Sequence, residues 1–503
     1  MSRTGKPYVM SGSSPTGKVR LTAAAKASAV RRSFTRRRKA DTTYGFFCVH
    51  QHDGKADESR QGHPGKDAGL HDWAIVRRVH PMQPVERILA EVDRAADEIV
   101  RFTTDLVRIP TVNPPGEEYE ACAHFLGDDL MRRGFDVEYV TADRRPEHTA
   151  RHPRVNVVGS RRGCAGPVVH LNGHIDVVPP GGGWTVGPFD GLVRDGRIFG
   201  RGVCDMKAGI AAAVFAAEAL ERAGVRLPGT IEISGTVDEE SGGFAGVAHL
   251  AEIGRIKKGR TDFVIIPEPL NVDRICIGHR GVYWFEVTAH GRIGHGSMPF
   301  LGVSAIDGMG QLLQAVRDVL MPALASRQTA VPVVPPGARH ATINVNGIDG
   351  GQPVDGIQTP CIADRCRAVF DRRFLLEEGF DAAKREIADL VARVADRAGG
   401  VRFDVRDLMV VHPTRTPDGS PVVAAIDQAI RRVLGRPAEL IASPGTYDHK
   451  HVARIAGVPH CVAYGPGELE LAHQPDEYCR IDDLVNATKV IALATLDLMG
   501  YGI

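Results

Sequence analysis

The chain contains no Cys-x-x-Cys pair, and its nine cysteines (48, 122, 164, 204, 276, 361, 366, 461 and 479) are scattered and odd in number. Such spacing supports neither a Cys-based zinc site nor a disulfide framework, so a reducing, cytoplasmic compartment is expected. Nowhere do apolar residues approach the run of about eighteen that a membrane span requires. The N-terminus also lacks the short apolar core of a secretory signal. A soluble protein with no membrane partner is expected. Internal repeats are absent. Aromatics make up only 6%, but 43% of the residues are hydrophobic and 24% charged, which excludes collagenous, wholly disordered and coiled-coil chains.

Net charge is lacking too, at +1 over 503 residues. Its distribution is uneven. Residues 1–81 hold 16 Lys+Arg against 6 Asp+Glu, leaving 46 against 55 in the remainder. A basic head therefore precedes an acidic body, and the body's charge argues against a nucleic-acid partner. The head carries RRSFTRRRKA at 31–40 and no sustained apolar periodicity, and reads as a disordered extension. Its Arg-rich, acid-poor start superficially meets the description of a transit peptide. Translation from an in-frame start upstream of Met82 is the preferred explanation.

A chain of this length is expected to form two or three domains. From Val85 onward VERILAEVDRAADEIVRFTTDLVRI shows helical spacing, ended by the prolines of IPTVNPPGEE. Beyond it β-rich runs (RVNVVGS, PVVHLNGHIDVV, GTIEISGTVD, DFVIIPEP) alternate with amphipathic helical stretches. This alternation predicts an α/β sheet with helices on both faces. Between 281 and 409 the order becomes strand, helix, strand, strand, helix, strand, which suits a small inserted α+β sandwich. Residues 410–503 return to helix and strand and would complete the first domain.

Acids and histidines fall near predicted strand ends, where open α/β sheets form their sites. VVHLNGHIDVVP puts His174 and Asp176 two residues apart, on one side of an extended chain. His174 can ligate a metal while Asp176 accepts its other ring N–H, although a histidine at a strand end is more often structural. GRGVCDMKAG places Asp205 at the start of an Ala-rich helix, where an N-cap is the simpler role. The strand TIEISGTVD runs into Glu239 and Glu240. In an extended chain these point to opposite sides, one towards a metal and one towards substrate; alternatively both are solvated charge. Glu268 stands between two prolines in DFVIIPEPL, and His473 lies on the loop GPGELELAHQPDEY. Chance explains each of these residues better than it explains all five oxygen or imidazole donors together, the parts of a two-metal site.

In this order, GHIDVVP, GRGVCDMKAG, TVDEESGG, PEP, GRIGHGSMP, FDRR, SPGTYD and AHQPDEY resemble the zinc metallohydrolase family of aminoacylases, acetylornithine deacetylases, succinyl-diaminopimelate desuccinylases and carboxypeptidase G2-like enzymes. The resemblance covers residues 82–503. It implies a catalytic domain with a mixed sheet flanked by helices, formed by 82–280 and 410–503, and an inserted α+β two-layer lid and dimerisation domain at 281–409. It further implies two Zn²⁺, replaceable by Co²⁺ or Mn²⁺, one held by His174, Asp205 and Glu268 and the other by Asp205, Glu240 and His473. Glu239 becomes the general base and Asp176 the orienter of His174. In dimeric relatives the histidine matching His295 reaches the partner's site. Arg373 is implied to grip a substrate carboxylate, and Gly445, Thr446, Gly465 and Gly467 to line the substrate. Plain structural roles stand beside these: a turn histidine, a surface arginine and simple turns.

Two departures fall on the substrate side. The chain reads PCIAD ahead of the Asp-x-Arg strand, with Pro360 where many relatives have Asn and Ala363 where they have Pro, so a polar contact is lost or supplied by Gln358. Met298 replaces a frequent second lid histidine. The expected activity is amide hydrolysis in an N-acyl amino acid or related amine by a homodimer. An exopeptidase or a deformylase is the second choice. A non-catalytic binding relative is disfavoured, because such a protein has no evident need for Glu239.

Overall fold

The computed structural model describes residues 84–351 and 360–503. The expected disorder of 1–81 and the role suggested for Gln358 lie outside the described residues. The helical pattern after Val85 forms two helices, Pro84–Arg94 and Ala96–Val107. Both bury their apolar stripe, Ile88 and Val92 on the first and Ile99, Phe102 and Leu106 on the second.

A nine-stranded mixed sheet follows. Its path runs Asp136–Thr141, Val155–Arg162, Thr230–Thr236, Val168–His174, Phe263–Pro269, Cys461–Gly465, Arg274–His279 and Thr414–Arg415, with Glu439–Ser443 also paired to Arg274–His279. The four central strands, from Thr230–Thr236 to Cys461–Gly465, are mutually parallel. Their carboxyl ends therefore converge on one edge, which gathers His174, Glu268 and the loops carrying Glu239, Glu240 and His473. The inner strands are buried along their length, as a sheet covered on both faces requires.

The helix Ala208–Arg222 owes its place to small residues: Ala208, Ala211, Ala212 and Ala216 are buried against the sheet and the C-terminal helix Ile481–Leu498. At Gly209 a Cβ would stand 2.0 Å from the Pro267 carbonyl oxygen. The helix thus touches the backbone of the strand bearing Glu268, and no other residue fits there.

Within 281–411, strands Gly281–His290, Thr342–Gly350, Arg365–Phe374 and Arg402–Val411 form a separate antiparallel sheet. Helices Ala305–Ala315 and Phe380–Ala395 pack on one of its faces. This unit has its own core, centred on Tyr283, Phe285, Phe370 and Phe374, with Phe285 and Phe370 stacked at 5.0 Å. Among the described residues no helix is long and apolar enough to cross a membrane.

Candidate metal centre and active site

His174 ends its strand fully buried. Its Nδ1 lies 2.9 Å from the main-chain oxygen of Asp176 and 3.5 Å from the Asp176 carboxylate. A carbonyl can only accept, so Nδ1 carries the hydrogen and Nε2 faces outward. Nε2 is 3.0 Å from Asp205 and 4.0 Å from Glu268. On the other side of Asp205, His473 Nε2 stands 3.5 Å from its second oxygen and 3.1 Å from Glu240. Asp205 therefore occupies the middle, with a histidine on each oxygen. Donor atoms of His174, Asp205 and Glu240 all lie within 4.8 Å of one another.

Two local expectations are corrected. Asp205 is not a helix N-cap. It sits at φ −116°, ψ 94° inside a wide turn, Val203–Lys207, and Lys207 holds the cap position of the helix that follows. The turn is pinned from outside: the Glu477 carboxylate accepts the main-chain N–H groups of Cys204 at 2.8 Å and Asp205 at 3.2 Å, and pairs with buried Arg201. From the other side Lys207 Nζ donates to the carbonyls of Leu106 and Ile109 at 3.0 and 2.7 Å. These contacts turn the Asp205 side chain towards the histidines.

Nor are Glu239 and Glu240 extended. The strand stops at Thr236, Asp238 turns left-handed at φ 62°, and Glu239–Ser241 forms a single tight helical turn. Asp176 is its anchor, accepting the N–H groups of both Glu239 and Glu240 at 3.1 Å while Asn113 donates to it at 2.9 Å. The Asp176 carboxylate thus organises the two glutamates as well as lying near His174. Glu240 faces His473. Glu239 Oε1 instead receives Lys450 Nζ at 2.9 Å, and Lys450 is 5% exposed.

The electrostatics describe a site short of positive charge. Burial, reinforced by the Asp205 charge, pushes Glu240 up to about 7 despite the His473 hydrogen bond. Burial and Asp205 also raise Glu268 well above the carboxylate range. For Asp205 burial is outweighed by hydrogen bonds from His174 and His473, which hold its pKa far down. Donating to the Asp205 and Glu240 carboxylates lifts His473 to about 10. Three carboxylates and two imidazoles crowded in this way suit divalent cations with nitrogen and oxygen preference, zinc among them.

Two cavities open on the cluster. One, of about 280 Å³, is bounded by Asp205, Glu239, Glu268, Leu270, Gly445 and Thr446. The other, of about 400 Å³, runs from Glu239 and Lys450 to the sheet of the inserted unit. Arg373 lines the second, but its Nε and Nη2 are held by Asp371 at 2.7 and 2.9 Å. Gly465 and Gly467 line neither. Gly465 lies against the Pro267 carbonyl and Gly467, at φ 99°, against Cys204, so both serve backbone approach to the strand and turn that carry Glu268 and Asp205. His295 lines neither cavity and is exposed, its Nδ1 bonded to Ser297 at 2.8 Å. Its strand Gly294–His295 pairs with Cys361–Ile362, and the Pro360 carbonyl accepts the Gly296 N–H at 2.7 Å, so the departing PCIAD segment supports the His295 loop.

Sequence reasoning did not single out Lys450, Glu477, Arg201 or Asn113. All but Asn113 stand in or beside the motifs GRGVCD, SPGTYD and HQPDEY, as charges among glycines and apolar residues. That setting was the available signal.

The sequence profile described as peptidase family M20/M25/M40 matches residues 170–497. The chain belongs to that family. The succinyl-diaminopimelate desuccinylase of Methylorubrum extorquens is 32% identical over 396 residues, spanning 76% of this chain and 94% of the relative. A di-peptidase of Saccharomyces cerevisiae superposes with TM-score 0.66 at 16% identity, covering 83% of this chain and 99% of its own. An M20 peptidase of Bacillus subtilis, described as binding a dinuclear metal, superposes at 0.60 with 17% identity, covering 81% of this chain and 99% of its own. Family membership makes the chain a metal-dependent hydrolase of amide bonds, and the cluster around Asp205 is its candidate metal site.

Proposed function

We propose that the chain is a di-zinc deacylase hydrolysing the amide of an N-acyl amino acid or a related N-acyl amine. The carrying observation is Asp205 set between His174 and His473, with Glu268 and Glu240 at the flanks. In this reading His174, Asp205 and Glu268 hold one ion and Asp205, Glu240 and His473 the other. Two such ions supply Lewis acidity, lowering the pKa of a water and offsetting charge on the amide oxygen. Glu239 is the base. Lys450 occupies its Oε1, which leaves the other carboxylate oxygen to take the proton from water and return it to the departing amine. Gly445 and Thr446 border the substrate space. The inserted unit acts as lid and dimerisation surface, and His295, which lines neither cavity of its own chain, serves the site of a second copy. The six buried free thiols Cys122, Cys204, Cys276, Cys366, Cys461 and Cys479 suit a reducing, cytoplasmic setting.

A panel of N-acetyl, N-succinyl, N-formyl and dipeptide substrates, scored by kcat/KM with Zn²⁺ present, tests the reading. Chelation is expected to abolish activity and Zn²⁺ or Co²⁺ to restore it. Glu239→Gln is expected to lower kcat at least 10³-fold, on the scale of losing a general base, while Zn²⁺ content stays full. A chelated enzyme that remained active, or an unchanged kcat in Glu239→Gln, would reject it.

A further inference from the structure

Two consecutive glutamates share one tight turn, and the N–H groups of both go to the Asp176 carboxylate. The backbone therefore does not distinguish Glu239 from Glu240, and their chemistry is the same. Both border the cavity that Asp205, Glu268 and His473 also line, so either carboxylate stands among donors that suit a divalent cation. What differs is the partner. Glu240 meets His473 at 3.1 Å, whereas Glu239 Oε1 receives Lys450 Nζ at 2.9 Å.

The short helix His449–Arg454, which carries Lys450, is fastened to the glutamate turn at further points. His451 Nε2 donates to the Gly242 carbonyl at 2.7 Å. Gly243, at φ 75°, packs so closely that a Cβ there would stand 2.7 Å from Asp448 Oδ1. On the far side Asn172 Nδ2 donates to Asp448 at 3.1 Å, and Asn172 lies two residues before His174 in the same strand. Lys450 is thus set in a frame shared by a strand of the metal site and the turn that bears Glu239. Burial disfavours its charge, yet Glu239 and Asp448 beside it raise its pKa above the ordinary value. Such a buried cation holds its carboxylate firmly, because parting the pair leaves both charges uncompensated.

We infer that Lys450 is a positioning residue that keeps Glu239 out of the metal-ligand set, and so decides which of the two adjacent glutamates serves as base. The inference rests on the deacylase reading and deepens it. With Oε1 committed to Lys450, Glu239 is restrained from turning onto the cations and stays a proton acceptor beside the ligands. Released from Lys450, it joins them.

The full chain loaded with Co²⁺ provides the test, because the visible absorption bands of this ion weaken as its coordination number rises. Lys450→Met is expected to weaken those bands and to lower kcat about 100-fold, at the lower end of losing a general base, with KM held within about threefold. In Lys450→Met/Glu239→Gln the bands are expected to regain wild-type intensity, since the released carboxylate is gone. Wild-type bands in Lys450→Met overturn the inference, as do weakened bands that persist in the double variant. A raised KM with unchanged kcat also overturns it, by making Lys450 a contact of the substrate. Should Lys450→Met fail to fold by circular dichroism, Lys450→Gln is judged by the same criteria. Absence of turnover with every amide of the panel counts against the deacylase reading alone; the spectra then decide the inference.

Discussion

At the scale of single residues, the site is governed by carboxylates that each serve two neighbours. Asp205 lies between two histidines, and Asp176 holds the Glu239–Ser241 turn while its main-chain oxygen sets the tautomer of His174. Without a cation the group retains protons: Glu240 is pushed up to about 7 and His473 to about 10. Metal ligands must be deprotonated, so loading has to expel these protons. Apparent Zn²⁺ affinity is therefore expected to rise with pH between about 6 and 8, and at pH 7 loading should release at least one proton per chain. A titration of metal-free protein in weak buffer with a pH indicator measures this. Uptake without proton release would contradict the assigned ligand set.

At the scale of elements, the decisive pieces are irregular turns held by remote side chains. The wide turn Val203–Lys207 cannot satisfy its own backbone, and Glu477 takes two of its N–H groups while balancing the buried charge of Arg201. Removing one partner of a buried ion pair leaves the other uncompensated, at a cost of about 3–5 kcal/mol. Glu477→Ala is thus expected to lower stability by that order in urea denaturation, and to reduce bound Zn²⁺ by releasing the Asp205 turn. Unchanged stability with full metal content would show that the turn holds itself. The regular elements need no such help: the Ala-rich helix fits because Gly209 lets it meet the strand backbone.

At the scale of the whole molecule, the inserted unit, with a core of its own, borders the second cavity. The sheet of the inserted unit ends on the exposed strand Thr342–Gly350, where Ile348 is 60% exposed, and Phe300 in the loop after His295 is 76% exposed. Unsatisfied strand edges and apolar loops of this kind suit a second copy. A homodimer by light scattering is expected. Mixing inactive His295→Ala with inactive Glu239→Gln chains should restore about a quarter of wild-type activity, since random pairing makes half the dimers mixed and each repairs one of two sites. A fully active monomer, or mixtures without recovery, would rule out that His295 serves the site of a second copy.

Much of this was legible in the sequence, because it is carried by local pattern. Period-2 and period-3.6 apolar spacing marks the strands and helices, the strand order marks the inserted unit, and donor-rich motifs at strand ends mark His174, Asp205, Glu239, Glu240, Glu268 and His473. Spacing alone also suggested an N-capping Asp205 and an extended Glu239–Glu240 pair, and there local propensity lost to distant partners. Lys450 meets Glu239 across 211 positions and Glu477 meets Cys204 across 273. Whether Arg373 pairs with Asp371 depends on side-chain geometry that no periodicity encodes. The sequence determined the elements and the kinds of donor at their ends; the tertiary structure alone decided which charges face one another, since ion pairing acts through space between groups that the chain keeps far apart.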